Sequence, residues 1–282
     1  MINKLALGTA QFGLNYGITN HSGQIKIKEA IKILDLAKNS GIYTIDTSAN
    51  YGDSEKVLGK IGVKDCQIIT KTITLRDDIN IVIEGLEESL LKLNIQQLEG
   101  VLIHNFDDLK NKNFNILFRK LEELKKEDVV KKIGFSTYTP EQVDFLIENF
   151  DFDIIQLPFN IFDNRLIEGG QLKKLKQRGV EVHARSIFLQ GILLELSNLS
   201  HYFLSWQKEF QDYQQLVNES EMSSLEYALN YVLGIQEIDK ALVGVNNELQ
   251  LSEIIKSVKN KIYIKAFPIN NSNLLNPSLW KI

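Results

Sequence analysis

Residues 41–59 read GIYTIDTSANYGDSEKVLG and combine a short apolar segment, an acid, a tyrosine and the beginning of a helix. Residues 42–45 are β-branched and aromatic, which predicts a buried strand. Asp46 follows that strand, Tyr51 lies on the next loop, and Ser54 is predicted to cap the helix that follows. An acid and a phenol at the mouth of a strand can face one pocket, although a loop acid beside a half-buried aromatic explains the same residues.

The alternation of a short strand, a polar loop and a helix-period segment recurs along the chain. Eight β-branched and apolar segments are predicted strands: residues 4–9, 42–45, 67–70, 98–103, 133–135, 153–157, 180–184 and 241–245. The predicted helices cover residues 28–38, a segment from Ser54, 78–93, 114–126, a segment from Thr139 and Pro140, 170–177, one or two segments within 198–233, and 249–259. Eight strand–helix units of about 35 residues each indicate an α/β fold, a (β/α)8 TIM barrel.

A doubly wound open sheet is the alternative architecture. It usually has fewer strands, and the Gly-rich GxGxxG turn expected after its first strand is missing here. No linker, charge run or low-complexity segment divides the chain, so a single barrel domain is predicted over residues 1–265. Residues 266–282 lie outside the alternation, and their Trp280 can either cap the active-site face or pack on the surface.

Composition is that of an ordinary globular protein and argues against several classes of partner. The 282 residues carry a formal net charge of −4, too close to neutrality to favour nucleic acid or a membrane surface. The single cysteine, Cys66, excludes an intrachain disulfide and a multi-cysteine metal site, and is predicted to be an inert buried thiol. The N-terminal residues lack the apolar run of a signal peptide, and no run approaches about 18 residues, so a cytoplasmic location is expected.

Groups that handle protons follow three consecutive predicted strands. Asp46 and Tyr51 follow the second strand, Lys71 ends the third and His104 ends the fourth. In a (β/α)8 barrel the chemistry lies at the carboxyl ends of the strands, so these four side chains are expected to converge. Each alone has a structural explanation, because strand-end lysines are usually solvated and a lone histidine is more often structural. Their combination predicts a catalytic site.

With these residues in view, the sequence resembles the aldo-keto reductase family over roughly residues 4–255. Six segments in family order carry the resemblance: GTAQFG (8–13), GIYTIDTSANYGDSEKVLG (41–59), ITK (69–71), VLIHN (101–105), KKIGFST (131–137) and IIQLPFN (154–160). The resemblance implies a barrel that binds NADP or NAD across the strand ends and reduces carbonyl compounds. The family tetrad of Asp, Tyr, Lys and His falls on Asp46, Tyr51, Lys71 and His104.

These residue types suit carbonyl reduction. Hydride delivery to a carbonyl carbon leaves charge on the oxygen, which must be protonated or held by hydrogen-bond donors. A free phenol has a pKa of about 10, and the Lys71 ammonium is expected to lower the pKa of Tyr51 so that it can act as the general acid. Asp46 is expected to keep Lys71 charged and positioned, and His104 to donate a hydrogen bond to the substrate oxygen.

The resemblance also implies which residues hold the cofactor. Ser136 and Gln156 match family positions that bind the nicotinamide carboxamide, and Thr137 stands where the family usually has Asn. Asn160, after the sixth strand, is expected either to support these residues without touching the cofactor or to face the substrate. The implied cofactor-binding residues are Gly8, Thr9, Ala10, Ser136, Thr137, Gln156, Arg185, Gly244, Asn246 and Gln250, with Glu253 in the same final loop.

Two departures from the family pattern concern the cofactor. Arg185 stands where the family commonly has an aromatic that stacks on the nicotinamide. A guanidinium there can stack on a flat ring, bind an anionic group of cofactor or substrate, or pair with an acid in the mouth. Asn246 stands where NADP-binding members usually carry Arg or Lys, and a 2′-phosphate prefers a cation. The family favours NADPH, whereas Asn246 leaves NAD or dual use open.

The expected substrate is a small carbonyl compound, and the long first loop, residues 11–23, bears on its class. Phe12 and Tyr16 in this loop and Trp280 in the tail are the expected substrate contacts, and His21 adds a polar group. Aromatic and amide groups together with Arg185 suit a sugar or sugar derivative better than a steroid. The sequence is also similar to bacterial members of the family found beside surface-sugar pathways.

Two other functions stay open at this point. Lys71 at a strand end can form a Schiff base, as in barrel aldolases, although the paired Asp46 argues for a charged lysine. Some barrels of the family act as non-catalytic cofactor-binding subunits, which the intact tetrad disfavours. No metal is predicted. The direction of the reaction and the oligomeric state do not follow from the sequence.

Overall fold

The computed structural model describes residues 1–18, 20, 23–196, 199–260 and 262–281, so His21 lies outside the described residues. Eight parallel strands close into one barrel in sequence order. They are β1 (Leu5–Gly8), β2 (Thr44–Asp46), β3 (Gln67–Lys71), β4 (Leu98–Ile103), β5 (Val130–Ser136), β6 (Ile154–Pro158), β7 (Glu181–Arg185) and β8 (Lys240–Gly244). The predicted (β/α)8 barrel is confirmed, and the open sheet is wrong because β1 and β8 pair in parallel, with Leu5 opposite Ala241.

Helices cover the outside of the barrel and its ends. They are α1 (Ala10–Gly13), α2 (Ile27–Asn39), α3 (Ser54–Ile61), α4 (Ile79–Leu93), α5 (Phe114–Lys126), α6 (Pro140–Asn149), α7 (Arg165–Glu168), α8 (Gln171–Gln177), α9 (Gln207–Glu219), α10 (Ser224–Gly234), α11 (Glu248–Ser257) and α12 (Ser272–Leu275). In α6, Thr139 caps the helix by accepting from the Gln142 N–H (3.4 Å), as predicted. Within the described ranges, no helix is both long and apolar enough to cross a membrane.

The helices are held to the sheet by apolar faces. In α2, Ile33, Leu34 and Ala37 are fully buried, and their three- and four-residue spacing places them on one side of the helix. In α5, the Phe118 ring stacks on Phe135 of β5 with 5.5 Å between ring centroids. Each large apolar side chain buried in this way stabilises the fold by roughly 1.5–3 kcal/mol. The strand ends are therefore fixed by a well-packed outer layer.

The loop after β2 differs from the prediction at the start of α3. Ser54 is the first residue of α3 and Asp53 precedes it, so the prediction of Ser54 as the capping residue is wrong. The Ser54 hydroxyl lies 2.9 Å from the Thr9 carbonyl oxygen and donates to it. It is also 2.8 Å from Thr9 Oγ1. These hydrogen bonds to Thr9 connect the loop that carries Tyr51 to the segment after β1.

Gly13, at the end of α1, lies directly against the loop that carries Tyr51. A Cβ atom at Gly13 would be 1.8 Å from the Tyr51 carbonyl oxygen and 2.5 Å from the Ser54 nitrogen. Gly52, on the facing loop, has a φ of 54°, and a Cβ atom there would be 2.5 Å from the Gly13 carbonyl oxygen. A side chain at either glycine would displace backbone, so this contact sets the position of Tyr51.

Cys66 is half-buried rather than fully buried, and in this respect the prediction was wrong. Its Sγ lies 3.8 Å from Asp65 Oδ1. Burial raises the pKa of the thiol to about 11. The thiol therefore stays protonated at neutral pH, as expected for an unreactive cysteine.

The C-terminal segment packs on the loop after β6 and on the helices beside it. The Ile269 N–H donates to the Phe162 carbonyl oxygen (2.9 Å). The Trp280 ring meets Phe203 edge-on at 5.1 Å between centroids, and its indole N–H donates to the Leu274 carbonyl oxygen (3.0 Å). These contacts hold the tail in place at the carboxyl end of β6.

Candidate active site

Asp46 and Lys71 form a buried ion pair at the carboxyl ends of β2 and β3. Lys71 Nζ lies 2.7 and 2.8 Å from the two carboxylate oxygens of Asp46 and 2.9 Å from the Thr47 carbonyl oxygen. The side chains are only 1% and 4% exposed. Gln156 of β6 donates its amide N–H to Asp46 Oδ1 (2.6 Å). All three N–H groups of the ammonium have acceptors, which fixes its position and favours the charged form.

Tyr51 and His104 stand beside this pair, so the structure brings the four predicted residues together. Lys71 Nζ is 5.0 Å from the centre of the Tyr51 ring. The Tyr51 and His104 rings meet edge-to-face with 6.2 Å between centroids. Among the described residues, the Tyr51 hydroxyl has no hydrogen-bond partner, whereas its loop is fixed through the backbone. The hydroxyl is therefore available to a ligand.

The electrostatics of Tyr51 differ from the expectation that Lys71 lowers its pKa. Burial raises the pKa of the Tyr51 phenol above its usual value, the negative charge of Asp46 raises it further, and the positive charge of Arg185 opposes this shift. The prediction was wrong because Asp46 and Thr47 take up the ammonium of Lys71. Burial also lowers the pKa of Lys71, and Asp46 opposes that shift. Tyr51 is therefore a neutral phenol that carries its proton at neutral pH.

His104 is also neutral. Burial, and next the positive charge of Lys71, lower the pKa of its imidazole to about 4. Its Nδ1 lies 3.1 Å from the Asn50 amide nitrogen and 3.3 Å from Ser48 Oγ. An amide nitrogen can only donate, so Nδ1 accepts and the ring proton is on Nε2. His104 can thus offer one N–H to a ligand oxygen without being charged.

This environment predicts that His104 does not titrate in the usual range. Since its pKa falls from 6.5 to about 4 on folding, the unfolded chain binds the proton more readily. Stability should therefore decrease as pH falls through this window. We expect the His104 Cε1–H resonance, assigned with His104→Gln, to keep its neutral shift down to about pH 5. Titration with a midpoint near the ordinary histidine value would contradict this.

A groove runs from Tyr51 across the strand ends to the loop and first turn after β8. It contains about 1280 Å³ of empty space, part of it open to solvent. Predicted site residues at its wall are Gly8, Thr9, Ala10, Tyr16, Asp46, Tyr51, Gln156, Arg185, Gly244, Asn246, Gln250 and Glu253. The wall also includes the loop after β7, residues 186–191, in which Ser186 and Gln190 have φ values of 56° and 54°. Of the tetrad, Asp46 and Tyr51 line the groove whereas Lys71 and His104 do not, and the groove extends from Tyr51 to the predicted adenosine end of the site.

Arg185 is held by neutral groups. Its guanidinium lies 4.2 Å from the centre of the Tyr138 ring and donates to the Thr137 carbonyl oxygen (2.9 Å). A weaker contact of 3.4 Å joins it to Ser186 Oγ. No acid among the described residues pairs with it, so the salt-bridge interpretation is not borne out there. Arg185 therefore presents to the groove a positive charge that no acid among the described residues pairs with directly.

Two polar atoms near the groove fit a bound cofactor. Thr137 Oγ1 and Asn246 Oδ1 are buried and have no hydrogen-bond partner among the described residues. At Gly244 a Cβ atom would be 2.7 Å from the Gln11 amide nitrogen, so glycine keeps the floor of the groove open. Unpaired buried polar atoms are costly, and a ligand with N–H or O–H donors would pair them. Ser136, like Thr137, is buried behind the groove wall.

Comparison with known proteins agrees with this geometry. The family model described as "Aldo/keto reductase family" matches residues 4–270. The chain belongs to the aldo/keto reductase family. An oxidoreductase from Bacillus subtilis, YqkF, is 24% identical over 284 residues, covering 91% of each chain. Aldo-keto reductase YhdN from the same organism is 25% identical and covers 89% of this chain and 84% of its own length. The structure of aldo-keto reductase AKR11C1 from Bacillus halodurans superposes with a TM-score of 0.75 at 20% identity, covering 92% and 87% of the two chains.

In this aldo/keto reductase, two predicted substrate contacts lie away from the groove wall. Phe12 is fully buried in the core, because α1 turns its ring inward, so its predicted role as a substrate contact is not supported. Trp280 packs on Phe203, and it is not among the described residues at the groove wall. Tyr16 does line the groove and is 43% exposed. Asn160 is buried, and its amide N–H donates to the Ser186 carbonyl oxygen (3.3 Å).

Sequence reasoning missed several residues that support the site. Ser48 and Asn50 orient the His104 ring through Nδ1. Gln11 forms part of the groove floor, and the Tyr138 ring packs against the Arg185 guanidinium. Asn50 and Tyr138 are each next to a predicted site residue in the sequence, and this adjacency is the sequence feature that could have indicated their role. Gln11 follows the predicted cofactor residue Ala10 in the same way. Among the described residues, no group of His, Cys, Asp and Glu side chains is arranged to hold a metal ion.

Proposed function

We propose that this chain reduces an aldehyde or a ketone to the alcohol with NADPH or NADH, with Tyr51 as the general acid. The observation that carries the proposal is a neutral phenol at the groove wall beside the Asp46–Lys71 pair and a neutral His104. Membership of the aldo/keto reductase family supports carbonyl reduction in general. The groove and its unpaired polar atoms support a bound dinucleotide.

The residues proposed to hold the cofactor follow the groove. Gly8, Thr9 and Ala10 form one wall, and Gly244, Asn246 and Gln250 form the far end. Arg185 and the loop after β7 lie between them, where a cation suits the phosphates of a dinucleotide. Ser136, Thr137 and Gln156 lie beneath, and Thr137 Oγ1 still lacks a partner. The nicotinamide would supply the hydride when the cofactor is bound.

The chain's own groups would handle the oxygen of the substrate. Tyr51 Oη carries the proton that the developing alkoxide needs, because burial and Asp46 keep the phenol protonated. His104 Nε2 can donate a hydrogen bond to the same oxygen, since Nδ1 is engaged by Asn50. Lys71 Nζ, 5.0 Å from the centre of the Tyr51 ring, would hold Asp46 in place beside the phenol.

A sugar or sugar derivative is the proposed substrate class. Tyr16 and Arg185 at the groove wall provide an aromatic face and a cation, which suit a polar ligand. An aldose or a keto-sugar presents hydroxyl groups as well as a carbonyl. The similarity to members found beside bacterial surface-sugar pathways supports the same class. The C-terminal segment, residues 266–282, is proposed to cover the active-site face of the barrel.

Two alternative functions make different predictions. A Schiff-base lyase needs Lys71 as a free amine, but its ammonium is 1% exposed and bound to three oxygen atoms. A non-catalytic cofactor-binding barrel would bind NADPH or NADH without turnover. The intact tetrad disfavours this second alternative.

One set of measurements separates the three functions. We expect saturable quenching of the protein's fluorescence by NADPH or NADH, followed by transfer of deuterium from the C4-deuterated cofactor to the carbonyl carbon of an aldose or keto-sugar. Borohydride added with the same carbonyl compounds should trap no adduct on Lys71. Binding without transfer to any tested carbonyl would favour the binding barrel, and a trapped Lys71 adduct would favour the lyase. A folded protein that binds neither cofactor would refute the proposed function.

A further inference from the structure

The end of the groove farthest from Tyr51 is formed by the loop after β8 and the first turns of α11. A dinucleotide that reacts beside Tyr51 must extend along the groove, so its adenosine ribose reaches this end. The residues there are Gly244, Val245, Asn246, Gln250, Glu253 and Ile254. Whether a 2′-phosphate or a 2′-hydroxyl fits at this end is therefore decided by the amino end of α11.

The amino end of a helix normally offers free N–H groups to an anion. At the start of α11 the N–H groups of Asn246 and Gln250 are already used by side chains of the protein. Asn247 Oδ1 accepts from the Gln250 N–H (2.9 Å), and Gln250 Oε1 accepts from the Asn246 N–H (2.7 Å). No free N–H remains at these two positions for phosphate oxygens.

A third N–H group of this turn is occupied by an anion from another helix. Glu29 in the first turn of α2 accepts from the Glu248 N–H with Oε1 at 2.8 Å. This hydrogen bond is the main reason that the pKa of Glu29 is lowered, so its carboxylate is ionised at neutral pH. Its other oxygen pairs at 3.3 Å with Lys32, whose side chain is 58% exposed and therefore largely hydrated. The carboxylate therefore occupies one of the N–H groups that the helix amino end would offer to a phosphate.

One buried polar atom at this end is an acceptor without a partner. Asn246 Oδ1 is buried and has no partner among the described residues. A ribose 2′-hydroxyl can donate a hydrogen bond to this oxygen, whereas an ionised phosphate cannot. A phosphate dianion beside the ionised Glu29 would also meet a like charge. Each of these observations disfavours the phosphate and favours the hydroxyl.

We propose that Glu29, together with Asn246, makes this enzyme select NADH over NADPH. The inference rests on the proposed function, because it concerns the adenosine end of the same groove. Glu29 does not touch the reacting groups, and its role is to exclude a 2′-phosphate. The sequence pointed to Asn246, but Glu29 lies more than 200 positions away on α2 and becomes visible only in the structure.

The test compares the dissociation constants of NADH and NADPH for the wild-type protein and three variants by isothermal titration calorimetry. The wild type should bind NADH at least about tenfold more tightly than NADPH. Glu29→Gln keeps an acceptor for the Glu248 N–H but loses the charge, so it should tighten NADPH binding by about fivefold or more and leave NADH binding unchanged. Glu29→Gln with Asn246→Arg should reverse the preference. The fragments 5′-ADP and 2′,5′-ADP should follow the same order.

Glu88→Gln is the matched control, since it removes one negative charge from an exposed position of α4 whose ion-pair partner among the described residues is Lys92. It should change neither dissociation constant. Equal affinity for both cofactors in the wild type, or an unchanged ratio in Glu29→Gln, would overturn the inference while leaving the proposed function intact. Binding of neither cofactor by the folded wild type would refute both together.

Discussion

Replacing Tyr51 by phenylalanine should lower the rate of carbonyl reduction by about 10²–10⁴-fold, the range typical for loss of a positioned general acid. The substitution removes only the hydroxyl, and the ring keeps its edge contact with His104 and its position near Lys71 Nζ. The dissociation constant of the cofactor should therefore be unchanged. Single-turnover kinetics with deuterated cofactor would report the loss at the chemical step.

The pH dependence of reduction follows from the sign of the Tyr51 shift. Burial and Asp46 raise the pKa of the phenol, so the protonated form that reduction requires persists through the neutral and mildly alkaline range. Reduction in single turnovers should show no decline due to Tyr51 below about pH 10. A decline with a midpoint near neutrality would show that a bound cofactor or Lys71 lowers the pKa after all.

Tyr43→Phe is a suitable control, because Tyr43 is 45% exposed and precedes β2 at the opposite end of the barrel. It should retain the wild-type rate. If Tyr51→Phe reduces the substrate as fast as Tyr43→Phe does, Tyr51 is not the proton donor. In that case His104 would be the next group to replace.

The sequence was sufficient for the fold because each strand–helix unit carries its own local signal. Predicted strands such as residues 98–103 and helices such as Phe114–Lys126 match the structure at both ends. The closure between β1 and β8 could also be expected, since eight parallel strands leave no other partner for the edges. The prediction for Ser54 was wrong because a serine before an apolar turn usually caps the helix. Here its hydroxyl instead donates a hydrogen bond to the Thr9 carbonyl oxygen, a contact between segments distant in the sequence.

The sequence predicts which residues form the site, but it does not predict the pKa values of their side chains. Strand ends fix where Asp46, Lys71 and His104 must lie, so their convergence follows from the barrel. The pKa of Tyr51 depends on burial and on which oxygens take up the Lys71 ammonium, and neither quantity can be obtained from spacing along the chain. Phe12 was misplaced for a related reason, because a loop aromatic can turn either inward or toward the groove.

The second large effect is expected at Lys71. In Lys71→Met, the carboxylate of Asp46 stays buried with Gln156 as its remaining side-chain donor. Breaking a buried pair by removing one partner usually costs about 3–5 kcal/mol, because an uncompensated charge is left in a poorly solvated site. We expect a loss of this size in the free energy of unfolding measured with urea, together with loss of reduction. The exposed pair of Lys208 and Asp212 gives the control, and Lys208→Met should leave the unfolding midpoint unchanged.

A double variant distinguishes a lost ion pair from a merely disturbed barrel. If the cost in Lys71→Met comes from the stranded charge of Asp46, then adding Asp46→Asn removes that charge and should restore part of the stability. The double variant would then be less destabilised than the sum of the two single variants, with a coupling in the range of about 0.5–3 kcal/mol found for contacting residues. Strict additivity would mean that the two side chains stabilise the strand ends separately. Reduction should stay low in the double variant even when stability returns, because both members of the buried pair beside Tyr51 are gone.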